Sequence, residues 1–469
     1  MKIVDIDYPV RASWMAEQGY RLDPGPYISE TFTARAFLAR VPRTNPLGDI
    51  TLDIFHAGRF RRHWTTDPAH GVPFLSSADI FEADLSWLPM VTQESFDGNP
   101  KLPLKPGWTL ITCSGMTAGR VTYARLDMDG YACSQDVMRV VPNPDKIPAG
   151  YLYTFLASPL GLAMIKGGIY GTSVKHIEPS HIVDLPVPRV GAEVEQQIDG
   201  LIQEAMKLRS QFQAGIVAAT RDLFESAGLP ELLDLRWHDQ PRDIDFAVTG
   251  LTPTSLRALN YIPRAQRIIE QIRSVPHRAL GDICKGGRLG RGPRFKRVES
   301  NPFHGTKLIG QRQGVWARPE GRWIILDPTE YEEVTVEDET VLIAATGTLG
   351  DTEVYCRAVF ATGRWTDFAY TDHFIRVRSG DRDISNPYLF AFLRSEAAFR
   401  LMRSMSAGGK QQDIHEELRR QLPVPECTRA DRERIAETVR NAFRLREEAD
   451  LKEDQALALL TEAVREAAG

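Results

Sequence analysis

The sequence predicts an α+β fold built twice, in the order globular unit, long helix, globular unit, long helix. Three observations predict it. Short words recur in the same order in both halves of the chain. Within each half, short β-rich apolar runs such as TLITC, RVTYARL and VMRVV mix with helix-like runs such as GYLYTFLAS. Each half then hands over to a long segment with apolar residues at helical spacing.

The repeat is read first because it decides the architecture. Leu47-Gly48-Asp49-Ile50 returns as Leu280-Gly281-Asp282-Ile283, 233 positions later. The strand TLITC, ending at Cys113 and followed by Ser114-Gly115-x-x-x-Gly119, matches VLIAA ending at Ala345, followed by Thr346-Gly347-x-x-Gly350. Tyr151 to Ser158 matches Tyr388 to Ser395, and Leu185-Pro186-Val187-Pro188 matches Leu422-Pro423-Val424-Pro425, both 237 positions on. After Pro188, Val194, Ile198, Leu201, Ala205, Leu208 and Phe212 follow a 4-3-4-3-4 spacing that places them on one helix stripe. Gly228 and Pro230 predict the end of that helix. After Pro425, Thr428 with Asp431 reads as a helix start, and Ile435, Val439, Ala442, Leu445 and Ala449 continue as a stripe. Each helix is predicted at roughly 35–40 residues, or about 50–60 Å at 1.5 Å per residue. An antiparallel, coiled-coil-like pair acting as a spacer is the favoured arrangement. The predicted boundaries are 1–190, 191–228, 229–427 and 428–469.

Composition narrows the function. A chain of 469 residues with 42% hydrophobic and 25% charged residues is expected to fold as two to four domains. No apolar run reaches the length of a membrane span and the start lacks a signal-peptide core, so a cytoplasmic protein is expected. The five cysteines, Cys113, Cys133, Cys284, Cys356 and Cys427, form no C-x-x-C pair, and Cys113 and Cys133 read as packing residues. The formal net charge of −5 argues against a uniformly basic nucleic-acid binder. Its distribution is more informative. Residues 191–228 carry 6 acids and 3 bases, and 428–469 carry 10 and 8, so the helices hold the whole excess and the globular units sum to zero.

Enzyme chemistry finds no footing. The Gly turns after Cys113 and Ala345 lead into strands rather than the helix a dinucleotide loop needs. Asn301-Pro302-Phe303 and Asn386-Pro387-Tyr388 lack the second proline of a methyltransferase N-P-P-Y word and read as turns. There is no P-loop, no G-x-S-x-G, and no His or Cys at metal spacing, so no catalytic residue, metal site or cofactor in this chain is assigned.

The ordered words resemble the specificity (S) subunit of type I restriction-modification systems over nearly the whole chain. They are an opening L-G-D-I, V-P-F-L at Val72 to Leu75, L-x-P-G-x-x-L-I-T-x-S-G at Leu104 to Gly115, G-x-S-x-K-x-I at Gly171 to Ile177, and the closing L-P-x-P. Arg21-Leu22-Asp23 with Tyr27, echoed by Arg257 and Tyr261, resembles the start of each recognition domain. The second copy departs in two places, with Lys307-Leu308-Ile309-Gly310 for V-P-F-L and Gly409-Lys410-Gln411-Gln412-Asp413-Ile414 for the lysine loop. The resemblance implies two target recognition domains that read a bipartite, asymmetric site in double-stranded DNA. It also implies that the helices dock two methyltransferase (M) subunits, with restriction/translocase (R) subunits as further partners and S-adenosylmethionine held by the partner methyltransferase.

Local basic clusters are the electrostatic footprint sought under that reading. Arg59, Arg61 and Arg62 follow the first L-G-D-I, and Arg288, Arg291, Arg294 and Lys296 follow the second. Arginine can fork onto guanine O6 and N7. Thr172, Ser173 and Lys175 form a second candidate contact in the first half, matched by Lys410, Gln411 and Gln412, although a helix cap would also explain such residues. Gln311-Arg312-Gln313 with Trp316 and Arg318 is a third. The helix positions Val194, Ile198, Leu201, Leu208, Phe212, Ile435, Val439 and Leu445 are the candidate partner-binding residues. Two other readings stay open: the reading subunit of another methylation-based antiphage complex, and an assembly scaffold that no longer reads DNA.

Overall fold

In both copies the Leu-Gly-Asp-Ile turn is held against the Leu-Pro-x-Pro segment by one backbone bond. The Leu47 amide donates to the Leu185 carbonyl, and the Leu280 amide to the Leu422 carbonyl, each at 2.9 Å. A glycine must follow, because a Cβ on Gly48 would lie 2.6 Å from Val183, and one on Gly281 would lie 3.0 Å from both Arg420 Cβ and its carbonyl oxygen. Thr44–Pro46 pairs antiparallel with Pro186–Pro188, and His277–Ala279 with Pro423–Pro425. A buried tyrosine on an earlier helix, Ala149–Ala157 or Asn386–Leu393, locks each strand, Tyr151 donating to the Pro188 carbonyl at 2.5 Å and Tyr388 to that of Pro425 at 2.8 Å. The recurring words are thus the seam where each globular copy closes on itself.

The computed structural model describes residues 12–17, 20, 27, 30–171, 175–248 and 251–469. The Arg21-Leu22-Asp23 word and Thr172, Ser173 and Val174 lie outside the described residues. The chain divides into two compact units, one of residues 1–81, 88–210 and 448–469, the other of 82–87 and 211–447. The class is α+β, and the sheet order repeats. In the first unit an antiparallel sheet runs Thr51–Phe55, Val137–Pro142, Thr109–Thr112, Val121–Tyr123. A smaller sheet runs Trp64–Thr65, Met90–Thr92, Gly71–Leu75, Ala132–Cys133, its last pair parallel. The second unit repeats them as Arg288–Arg291, Phe374–Arg378, Thr340–Ala344, Ala358–Ala361, and as Val298–Glu299, Arg322–Ile325, Thr306–Ile309, Ala369–Tyr370. The parallel pairing places buried Leu308 and Ile309 where Phe74 and Leu75 stand. The counterpart of Val72–Leu75 is therefore Thr306–Ile309, one residue earlier than the sequence words suggest.

The long helices run Ala192–Ser226 and Arg429–Ala468, the second capped by Thr428, whose Oγ1 accepts from the Asp431 amide at 3.3 Å. Each is shared between the units. The first core takes Ile198, Ile202 and Met206 from the start of the first helix, and Ala456, Leu460 and Val464 from the end of the second. The second core takes Ile435, Val439 and Phe443 from the start of the second helix, and Phe212, Ile216 and Leu223 from the end of the first. The helices pair antiparallel within each unit. In the first, Glu204 meets Lys452 at 2.8 Å, and Arg209 meets Asp450 at 2.5 Å and Glu453 at 3.1 Å. In the second, Phe212 stacks edge-on with Phe443 at 5.1 Å and Asp222 meets Arg434 at 2.7 Å. Partner numbers fall along one helix as they rise along the other.

The second unit also contains Glu82–Trp87, a segment that the sequence reading leaves with the first half. Asp84 holds the buried Arg394 guanidinium at 2.7 and 3.0 Å, and Arg394 also donates to Ser86, Thr220 and the Ile216 carbonyl. Trp87 stacks on Phe399 at 6.2 Å, and the Arg357 guanidinium lies 4.1 and 3.6 Å from the two ring centroids. Burial pulls the Asp84 carboxyl upward, but the Arg394 charge and the Ser86 hydrogen bonds outweigh it and set its pKa at about 2.

A carboxylate depressed in this way stabilises the fold above its unfolded pKa and loses that contribution as pH falls through its folded one. Acid titration followed by Trp87 fluorescence should show a phase between pH 3.8 and about 2 that Asp84→Ala abolishes. Asp84→Ala should itself cost about 3 kcal/mol, because Arg394 stays buried without its counter-charge. Ile198→Ala and Ile435→Ala should each lower unfolding stability by about 3 kcal/mol in urea, as core truncations do.

Candidate nucleic-acid interface

In the first unit the basic segment is laid over the small sheet. The Arg62 guanidinium sits 5.0 Å from the Phe74 ring centroid and 5.6 Å from that of Phe60, and donates to Gln135 at 2.6 Å, with Asp136 at 4.0 Å. Asp136 accepts from Ser114 at 2.8 Å and Ser134 at 3.1 Å. The next amide, Gly115, donates to the Lys175 carbonyl at 3.1 Å, and Ser114 bridges to His176. His56 reaches Glu178 at 3.1 Å. Three stretches remote in sequence meet here: residues 56–62, the Ser114-Gly115 turn, and Lys175 with His176. Arg59, Arg61 and Lys175 are exposed, while Arg62 is half-buried and fixed.

The second unit assembles the counterparts. Arg291 reaches Asp413 at 2.6 Å and Thr346 Oγ1 at 2.9 Å, and donates to the Asp372 and Ala345 carbonyls. Thr346–Gly347 pairs with Asp413 and Gln412 as a short antiparallel ladder. Gln311 clamps that turn, accepting from the Thr346 amide at 3.0 Å and donating to its carbonyl at 2.8 Å. Asp372 receives Arg294 at 3.1 Å and Arg297 at 3.4 Å. The Cys113 amide bonds to Asp136 and the Ala345 amide to His373, so Gln135 and Asp372 occupy equivalent positions. In both units that position receives an arginine from the basic segment.

Beneath each site lies a buried arginine that the sequence reading did not single out. Arg139 and Arg376 occupy the same strand register, opposite Leu110 and Leu342. Arg139 donates to the Cys133, Ser134 and Val137 carbonyls, and Arg376 to those of Glu333, Val334 and Thr335. Arg376 satisfies carbonyls at the C-terminus of the helix Pro328–Val334, and Arg139 those around the turn between the strands Ala132–Cys133 and Val137–Pro142. Burial pulls Arg376 down to about 10, with Arg288 adding to the effect.

The predicted site residues separate by environment. Arg59, Arg61, Arg288, Lys296, Lys410 and Gln411 are exposed, and the Arg294 side chain is 89% exposed. Gln412 is buried and donates to the Gly409 carbonyl, so it shapes its loop and does not face solvent. Of the third cluster, Gln311 joins the site, Arg312 pairs with Glu82 at 3.1 Å and Trp316 is buried. The helix positions point inward. Ile198, Phe212, Ile435 and Val439 are at most 3% exposed inside the chain's own cores, Leu208 is buried, and Val194, Leu201 and Leu445 are half-buried. The apolar stripes are therefore spent within the chain, and the outward helix face carries residues such as Gln196, Gln203, Lys207 and Gln211.

Among the described residues no helix is long and apolar enough to cross a membrane, and no group of His, Cys, Asp and Glu could hold a metal ion.

Arg291 and Arg294 should behave differently on truncation. Arg291→Ala removes the tie between the basic strand and the Asp413 loop and should raise the rate of limited proteolysis near Gly408. Arg294→Ala removes an exposed side chain and should leave both proteolysis and thermal midpoint unchanged.

No protein-family model and no curated protein matches the chain. Three solved structures align along most of its length. The S subunit of the type I restriction-modification system from M. genitalium aligns at 13% identity and a TM-score of 0.33, over 91% of this chain and 95% of its own. The HsdS subunit from Thermoanaerobacter tengcongensis aligns at 13% identity and a TM-score of 0.26, over 90% and 96%. A chain from a structure describing complex assembly and conformational transition of the type I R-M system aligns at 12% identity and a TM-score of 0.25, over 90% and 97%.

Proposed function

We propose that this chain is a DNA-sequence reader of the type I specificity-subunit kind, with residues 1–190 and 229–427 as its two recognition domains. One observation carries the reading. In each unit a basic segment, a Ser/Thr-Gly turn and a late polar loop, far apart in sequence, meet at the same place in the same fold. Phosphates call for exposed cations and base edges call for fixed polar groups, and each site offers both. In the first, Arg59, Arg61 and Lys175 are the exposed cations; in the second, Arg288, Arg294, Lys296 and Lys410.

The two sites carry different residues, which supports an asymmetric target. A helix of 35 residues is about 50 Å long, equal to roughly 15 base pairs at ~3.4 Å each, which bounds the separation of half-site centres. Among the described residues no group of His, Cys, Asp and Glu could hold a metal ion at either site, and the type I reading places the chemistry outside this chain. Methylation and cleavage would then belong to partners: two methyltransferase subunits carrying S-adenosylmethionine, and restriction subunits. Since the apolar stripes lie inside the cores, docking would use the polar outer face of the helices.

Methylation mapping in cells expressing this chain with a cognate methyltransferase should yield a motif of two unlike halves around an unread gap. A continuous motif, or none, would overturn the proposal. In a mobility-shift assay, Arg294→Ala should weaken binding to all duplexes alike and reduce the salt slope by about one. A scaffold that does not read DNA would show no shift with the partner present.

A further inference from the structure

Met116 is the most exposed of the large apolar side chains described, at 96%. It stands on a turn whose backbone is held on both sides. Gly115 takes a left-handed φ of 76° and Gly119 one of 82°. The Gly119 amide returns to the Thr112 carbonyl at 2.8 Å, the Gly115 amide is bound to Lys175, and Thr112 Oγ1 donates to the Thr117 carbonyl. A thioether fixed in water lacks the apolar contact that stabilises such a side chain elsewhere.

Its surroundings say what would cover it. Ser114, two residues before it, is bonded to Asp136, which lies beside Arg62 of the basic segment, and Lys175 is tied to Gly115. An apolar tip on the turn that meets the basic segment and the exposed Lys175 suits a polyanion with apolar points in its groove. Duplex DNA has one such point, the thymine 5-methyl group exposed in the major groove. The second unit carries Thr348 at the matching turn position, after Thr346-Gly347, so the two sites differ where this contact would be made.

We propose that Met116 is a specificity-determining residue of the first site, packing against a thymine 5-methyl group in the major groove. The inference rests on the DNA-reading proposal above. Its test replaces each thymine of the mapped target, one at a time, by uracil, which removes only the methyl group. Binding is measured with the full chain and its methyltransferase partner. At one thymine the replacement should weaken binding of the parent chain by about fourfold, the value of one buried methyl. The same replacement should have no effect on Met116→Ser and should retain its effect on Met116→Leu. Met116→Ser should keep the parent thermal midpoint, because the side chain touches solvent. If DNA binds and the target maps but no thymine shows this pattern, or no half-site contains an A·T pair, the inference fails while the DNA-reading proposal stands. If no duplex binds, the underlying proposal fails first.

Discussion

Neither globular copy closes its core with its own residues and the helix that follows it. Each needs the last half of the other long helix as well, Ala456, Leu460 and Val464 in the first unit, and Phe212, Ile216 and Leu223 in the second. Both helices must therefore be long, antiparallel and in one register, because a slip of one position turns buried residues outward. The buried Arg209, ion-paired to Asp450 and Glu453, fixes that register in the first unit. Tyr123 donates to Glu453 at 2.5 Å, and burial together with that carboxylate keeps the phenol protonated. A buried pair of this kind contributes specificity of register more than stability.

The repeat explains why the second unit solves the same problem with other groups. Arg446 stands 237 positions after Arg209 and is also buried at 2%. Its guanidinium stacks on Trp365 at 3.8 Å and Phe443 at 4.6 Å, and donates to the Phe360 and Thr362 carbonyls. Position and residue type persist between the copies, and in the second the guanidinium rests on aromatic faces and backbone carbonyls. Among the described residues, Arg139, Arg209, Arg376 and Arg446 are the largest fully enclosed side chains.

The words of the repeat were legible because they sit where backbone approaches backbone. Leu-Gly-Asp-Ile, Tyr-Leu and Leu-Pro-x-Pro form one hydrogen-bonded seam, which fixes residue type strongly. The long helices were legible from periodicity alone. Periodicity does not say what covers a stripe, however, and Ile198, Leu208, Phe212, Ile435 and Val439 are buried within the chain's own units. Arg139 and Arg376 were illegible because an arginine among β-branched neighbours reads as an edge residue until the carbonyls it satisfies are placed. Glu82–Trp87 was illegible for a different reason. Its sequence carries no mark of the Arg394 and Phe399 partners more than 300 positions away. Of the site, the exposed cations were legible, while Gln135, Asp136, Asp372 and Asp413, which hold the arginines in place, were not.

Those holding groups bear on the neutral charge of the globular halves. In the second site Asp372 faces Arg294 and Arg297, and Asp413 faces Arg291. In the first, an amide, Gln135, stands at the Asp372 position, and the nearest carboxylate to Arg62 is 4.0 Å away. A carboxylate that receives an arginine fixes its direction and lowers the net field, so it trades strength of non-specific attraction for orientation. The first site keeps more of its positive field and adds an apolar tip, whereas the second has more arginines but neutralises several of them. Under the DNA-reading proposal, salt should then weaken the first site's contacts more steeply than the second's. An asymmetric reader would divide its labour in this way, one half supplying attraction and the other supplying fixed hydrogen-bond geometry.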